Sequence, residues 1–269
     1  MPEQLRLMCV LAHPDDESLG NGGTLAKYAA EGIATYLITA TRGERGWQGA
    51  EQDNPGLDAL GVIREAELRG AAAALGIREL HFLDYIDGDL DQADPIEAIS
   101  KIAAHLRRIK PHVVITFGPA GAYGHTDHIA ICQFTTSACV AAANASYTVA
   151  GDLPPHTVAK LYYMAVSHTL ADAYQAVFGD IVMHFDGVPR TIVIDEDWAI
   201  TTWIDTSAYQ DTIWKAVFCH TSQLPAYSAL EQVPEQYQQA IWSIQQYYRA
   251  YSLVNGGRAR EHDLFEGLR

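Results

Sequence analysis

Leu5-Arg6-Leu7-Met8-Cys9-Val10-Leu11-Ala12 is an almost unbroken apolar run of strand length, and it passes directly into His13-Pro14-Asp15-Asp16-Glu17. A short apolar run bounded by a turn fits a strand buried on both faces. The same succession of apolar strand, polar loop and helix recurs downstream. Strands are expected at 33–40, 79–83 and 112–117, and helices at about 23–31, 61–75, 95–109 and 127–143. Gly76 closes the second helix, while Asp94-Pro95 opens the third and Lys110-Pro111 stops it. Such alternation predicts an α/β fold, a mostly parallel sheet covered by helices, with ligands bound at the carboxyl ends of the strands. Beyond about residue 150 the pattern loosens. Strands are expected at 158–166 and 191–194, helices at 206–219 and 234–250, and a flexible polar tail at 255–269.

The 269 residues contain no linker-like stretch, so a single domain spanning 1–269, with a C-terminal elaboration, is expected. A hydrophobic fraction of 48% and a charged fraction of 19% suit a folded soluble protein. The formal charge of −15, with Lys and Arg scattered singly, argues against nucleic acid as a partner. No apolar stretch reaches the roughly 20 residues of a membrane span, and the N-terminus lacks the basic start of a signal peptide. A cytoplasmic protein without membrane insertion is therefore expected. Cys9, Cys132, Cys139 and Cys219 stand apart in apolar segments and read as reduced thiols.

Two loops concentrate the chemistry. In the first, His13 and three consecutive acids follow a buried strand, and carboxylates so crowded repel one another unless a cation or solvent compensates. His13 and Asp16 can converge on one ion across a turn that Pro14 helps fix, leaving Asp15 beside the ion. A capped helix start is the plainer explanation of the acids alone. In the second, Tyr123-Gly124-His125-Thr126-Asp127-His128 follows the fourth strand, and His125 and His128 can face one site from the first turn of a helix. Imidazole and carboxylate donors with an open position suit catalytic Zn²⁺, one ion being expected; two His and one Asp also suit Fe²⁺. Amide hydrolysis would then use Asp15 to take a proton from water. His125, near the leaving side, would stabilise the oxyanion or protonate nitrogen, and Asp127 would orient either His125 or His128.

The two stretches resemble the PIG-L or LmbE-like metal-dependent N-deacetylases, whose Ala-His-Pro-Asp-Asp-Glu strand exit is matched by residues 12–17 and whose His-x-Asp-His is matched by residues 125–128. A third stretch, Lys215-Ala216-Val217-Phe218-Cys219-His220-Thr221-Ser222-Gln223, resembles a pattern near the C-terminus of many members. The resemblance covers residues 5 to about 223. It implies a Rossmann-like three-layer fold and a zinc ion held by His13, Asp16 and His128. It also implies Asp15 as general base, Tyr123 as a group that swings onto the substrate carbonyl, and Arg64 as a contact to sugar hydroxyls. Asp87, after the third strand, is a second candidate substrate contact. Arg42 and Glu44 lie at the same sheet edge, and His220, Ser222 and Gln223 either close the pocket or end a helix. The implied substrate is a small N-acetylated amino sugar such as an N-acetylglucosamine conjugate, and a homo-oligomer is expected. The alternatives are hydrolysis of a non-sugar amide or carbamoyl group and a non-catalytic sugar-binding protein with a vestigial metal site. A nucleotide-binding oxidoreductase lacks its G-x-G-x-x-G, and a serine hydrolase its G-x-S-x-G.

Overall fold

A computed structural model describes residues 4–179, 182–185, 188–257 and 259–269; residues 1–3 of the expected N-terminus and Arg258 of the expected tail lie outside the described residues. The first half runs β1 (Arg6–Leu11), α1 (Asp16–Ala30), β2 (Ala34–Thr41), α2 (Leu57–Leu75), β3 (Glu79–Tyr85), α3 (Pro95–Ile109), β4 (Val113–Thr116), the single turn α4 (Gly121–Gly124), α5 (Thr126–Ala143) and β5 (Lys160–Met164). The second half adds α6 (His168–Phe178), β6 (Val182–Phe185), β7 (Val188–Thr191), β8 (Thr202–Asp205), α7 (Gln210–Val217), the one-turn helices α8 (Leu224–Tyr227) and α9 (Glu235–Gln238), and β9 (Ile244–Ser252).

Seven strands form one sheet in the order β3-β2-β1-β4-β5-β9-β8. The first five named are parallel to one another, and β9 is antiparallel to both β5 and β8. Helices α1, α2 and α7 pack together on one face, and α3 packs on α5 on the other. The mostly parallel sheet covered by helices is as the sequence pattern predicts, and its three layers are as the resemblance implies. All of β2 and β4 is buried, which explains why these strands read as continuous apolar runs rather than alternating ones. The chain leaves β1 toward β2 and β3 on one side and returns to β4 on the other. Strand order therefore reverses between β1 and β4, the point at which open α/β sheets bind ligands outside the carboxyl ends of their strands. Both histidine-bearing loops leave from there.

Several boundaries differ from the sequence expectations. Helix α1 begins at Asp16, seven residues early by that reading, because the chain turns at Asp15, whose carbonyl accepts the N–H groups of Ser18 and Leu19, and Asp16 and Glu17 lie favourably in its first turn. The helix expected at 234–250 is instead a short helical segment followed by β9. There Gln245, Tyr247 and Arg249 are buried in alternation, a two-residue period that glutamine-rich surroundings obscure. The strand expected at 191–194 ends at Thr191 as β7, which among the described residues pairs only with β6. The tail is packed rather than flexible. Glu261 is buried against Lys160 Nζ at 2.6 Å and Arg249 Nη1 at 2.7 Å, accepts hydroxyls of Tyr162 and Thr202, and brings Leu264 and Phe265 into the core. Two cations inside the sheet need an anion, and the tail supplies it. Among the described residues no helix is long and apolar enough to cross a membrane. Cys9, Cys132, Cys139 and the half-buried Cys219 are free thiols.

Candidate metal centre

The loop after β1 doubles back on itself. Asp16 Oδ2 accepts the backbone N–H groups of Ala12 at 3.1 Å and His13 at 2.8 Å, and α1 starts from there. Asp15 sits between them with φ 109°, a conformation that L side chains rarely adopt and that costs on the order of 1–3 kcal/mol unless the surroundings impose it. They do so on three sides. The Asp15 N–H donates to Glu17 Oε2 at 3.0 Å, Arg64 Nη2 donates to the Pro14 carbonyl at 2.6 Å and to Asp15 Oδ2 at 3.0 Å, and the Tyr227 hydroxyl donates to the same Oδ2 at 2.6 Å.

Glu17 is fully buried and pairs with the buried His220 at 2.8 Å. Burial works to raise the Glu17 carboxyl, but the His220 charge and hydrogen bond outweigh it and hold it below the usual range.

His13 faces two acids and a second histidine. Its Nε2 lies 3.1 Å from Asp127 Oδ2 and 3.1 Å from Asp87 Oδ1, so that nitrogen carries a proton. His128 Nδ1 lies 3.3 Å from the Gly121 carbonyl, an acceptor, so it too is the protonated nitrogen of its ring. Gly121 makes this approach with φ 62°, and a Cβ there would meet the side chains of Ile129 and His128. The two remaining nitrogens, His13 Nδ1 and His128 Nε2, face each other at 3.1 Å. In neutral rings both present lone pairs, and a divalent cation between them makes the contact favourable; without one, burial acts to lower His13 but its bonds to Asp127 and Asp87 raise it well above the usual imidazole value, so that a proton on Nδ1 bridges the pair.

Asp16 oxygens lie 3.9 Å from His13 Nδ1 and 3.6 Å from His128 Nε2. Two ligands about 2.0–2.1 Å from one zinc at the tetrahedral angle are roughly 3.3 Å apart. This donor set therefore fits a divalent ion in spacing and in chemistry. Burial first, and the charges of Asp15 and Glu17 after it, push the Asp16 carboxyl up to about 7 despite the opposing effect of His13, a penalty that a bound cation offsets.

Two further groupings surround His13. Ring nitrogens of His13, His125 and His128 lie within 4.8 Å of one another, as do donor atoms of His13, Asp87 and Asp127. His125, however, uses Nδ1 to accept the Asp127 N–H at 3.1 Å, capping α5, which leaves the proton of the neutral ring on Nε2. Its ring stacks on His128 at 4.6 Å between centroids, and Phe117 stacks on His128 as well, at 3.8 Å. Burial and the neighbouring His13 push His125 down to about 4. Tyr123 stands edge-on to His128, 5.3 Å between ring centroids, and burial raises its phenol above the usual range.

The remaining site residues take places that their sequence positions do not reveal. Asp127 meets His125 through its backbone N–H, while its carboxylate meets His13 and accepts the N–H groups of Gly88 at 2.7 Å and Leu90 at 3.1 Å. Asp87 also meets His13. Burial acts to raise its carboxyl, but the bond to His13 and the nearby charges of His13 and Arg64 hold it down at about 2. Arg64 is buried, and its guanidinium reaches three protein oxygens, the third being the Gly43 carbonyl at 2.9 Å. Gly43 has φ 69°, and a Cβ there would overlap that guanidinium. Arg42 pairs with Glu65 and Asp84, and Glu44 accepts the N–H groups of Arg42 and Asp87. Ser222 bonds Glu67, and Gln223 donates to the Gly46 carbonyl. Sequence reasoning missed Tyr227, which lies 212 positions from its partner and belongs to no motif.

The family model described as GlcNAc-PI de-N-acetylase matches residues 8–139. A 1D-myo-inositol 2-acetamido-2-deoxy-alpha-D-glucopyranoside deacetylase of Rhodococcus erythropolis is 35% identical over 98% of this chain and 97% of its own. A mycothiol S-conjugate amidase of Streptomyces coelicolor is 29% identical over 100% and 99%. Among solved structures, the N,N'-diacetylchitobiose deacetylase of Pyrococcus horikoshii superposes with a TM-score of 0.68 at 17% identity, covering 91% of this chain and 83% of that one, which shows a shared fold.

Proposed function

Because the chain belongs to the PIG-L family of N-deacetylases, we propose that it removes the N-acetyl group from an N-acetylglucosamine conjugate, with zinc held by His13, Asp16 and His128 and with Asp15 as general base. The observation that carries this reading is the pair of ring nitrogens, His13 Nδ1 and His128 Nε2, facing each other 3.1 Å apart beside Asp16, with a second carboxylate next in the chain. Bound there, a divalent ion would polarise the amide carbonyl and lower the pKa of water.

The chain's own groups do the rest. Asp15 Oδ2 is engaged by Arg64 and Tyr227, so its other oxygen is the one to accept the proton of the attacking water. His125 offers Nε2–H, and Tyr123 its hydroxyl, to the carbonyl oxygen as charge develops on it. Once protonated, Asp15 can return its proton to the departing nitrogen. Asp127 and Asp87 hold His13 in the tautomer that keeps Nδ1 available. Arg64, given its three protein acceptors, supports Asp15 rather than contacting the sugar.

The substrate class follows from relatives at 32–35% identity that are named for the inositol glycoside of N-acetylglucosamine. Zinc-loaded protein is to be assayed for acetate and free amine on that glycoside, on N-acetylglucosamine, on a mycothiol S-conjugate and on an N-acetylated amino acid. Turnover of the sugar conjugates well above the amino acid is expected. Equal or faster release from the non-sugar amide would contradict the reading.

A further inference from the structure

The carboxylate of Asp15 is held by two donors from opposite ends of the chain, and both fall on one oxygen. Arg64 Nη2 reaches Oδ2 at 3.0 Å from α2, and the Tyr227 hydroxyl reaches it at 2.6 Å from the last residue of α8. Among the described residues Oδ1 takes no hydrogen bond. A carboxylate free to rotate would present either oxygen to water. Two donors converging on the same oxygen fix the plane of the group and leave the other oxygen as acceptor.

We propose that Tyr227 is a positioning residue for Asp15: its hydroxyl, with Arg64, pins Oδ2 so that Oδ1 points at the attacking water. This rests on the reading of Asp15 as general base. Arg64 cannot do the work alone. Its Nη2 is shared with the Pro14 carbonyl at 2.6 Å, a shorter bond than the one to Asp15, so its position answers to the backbone as much as to the carboxylate. Tyr227 makes no second hydrogen bond among the described residues, and its short contact is directed at the carboxylate alone. Burial and the charge of Asp15 raise its phenol well above the usual value, so it remains a donor throughout the working range. The arrangement also makes the base depend on the C-terminal half of the chain, which carries neither motif.

The test compares Tyr227→Phe, Asp15→Asn and the double variant, each zinc-loaded, on the N-acetylglucosamine glycoside of inositol. Removing one oxygen while keeping the ring is expected to lower kcat roughly tenfold, leave KM within about twofold, and leave zinc content and melting temperature unchanged. In the Asp15→Asn background the same substitution is expected to change residual kcat less than about twofold, because the group it positions is gone. Wild-type kcat in Tyr227→Phe, with Asp15→Asn inactive, would overturn the positioning role and leave the base standing. So would an equal fall in both backgrounds, which would mark Tyr227 as acting elsewhere. Wild-type kcat in Asp15→Asn would instead remove the base and this proposal with it.

Discussion

His13, in the loop after β1, and Asp127, in the first turn of α5, stand more than 100 residues apart, and the ring Nε2 of the first lies 3.1 Å from a carboxylate oxygen of the second. The acid is itself fixed by the N–H groups of Gly88 and Leu90. A backbone-anchored carboxylate thus sets the tautomer of a histidine in the other motif. The acid between His125 and His128 thus serves His13 with its carboxylate and His125 with its backbone N–H.

Asp127→Asn tests that link. An amide has a single acceptor oxygen, so it cannot satisfy Gly88, Leu90 and His13 together, and the ring loses the partner that keeps Nδ1 unprotonated. Zinc affinity is expected to weaken about 10–100-fold, read by competition with a chromogenic chelator. Affinity equal to wild type would mean that Asp87 alone orients His13.

Arg64→Lys separates two roles for the arginine. A contact to sugar hydroxyls would appear mainly in KM. The structure instead has the guanidinium span Asp15 Oδ2 and the carbonyls of Pro14 and Gly43, a fork that a lysine ammonium cannot reproduce. The expected result is a fall in kcat of about tenfold or more with KM little changed, and a lower melting temperature. A selective rise in KM would restore the sugar contact.

Much of this was readable before any coordinates. The apolar runs that become β1, β2 and β4 are continuous because those strands are buried on both faces, and the two motifs announce themselves because each follows such a strand. Partnerships across the sheet were not readable. Nothing local links Asp127 to His13 or Tyr227 to Asp15, and Arg64, on an otherwise amphipathic helix, looks like a surface residue until Gly43 makes room for it. The strand β9 was hidden for another reason. Its buried face includes Gln245 and Arg249, polar residues whose burial depends on partners in α1 and the tail, so its period of two carries no hydrophobic signal.

Glu261 yields a prediction about stability and pH. Burial works to raise its carboxyl, yet the bonds from Lys160, Asn255 and Tyr162 hold it down at about 2, below the roughly 4.3 of an unfolded glutamate. A carboxyl depressed by folding contributes its stability above the unfolded value and loses it as pH falls from about 4.3 toward 2. Glu261→Gln leaves Lys160 and Arg249 buried without their anion and should cost about 3–5 kcal/mol at neutral pH in urea unfolding. The gap between variant and wild type should close as pH falls through that window. A constant gap would assign the effect to packing instead of charge.

The central claim is the division of labour between adjacent acids, one holding the ion and the other beside it. Metal analysis of purified Asp15→Asn and Asp16→Ala, with turnover measured on the same samples, tests it most directly. The account predicts that Asp15→Asn keeps close to one zinc per chain and loses turnover, while Asp16→Ala loses the zinc. Equal loss of metal in both variants, or full zinc in Asp16→Ala, would contradict it.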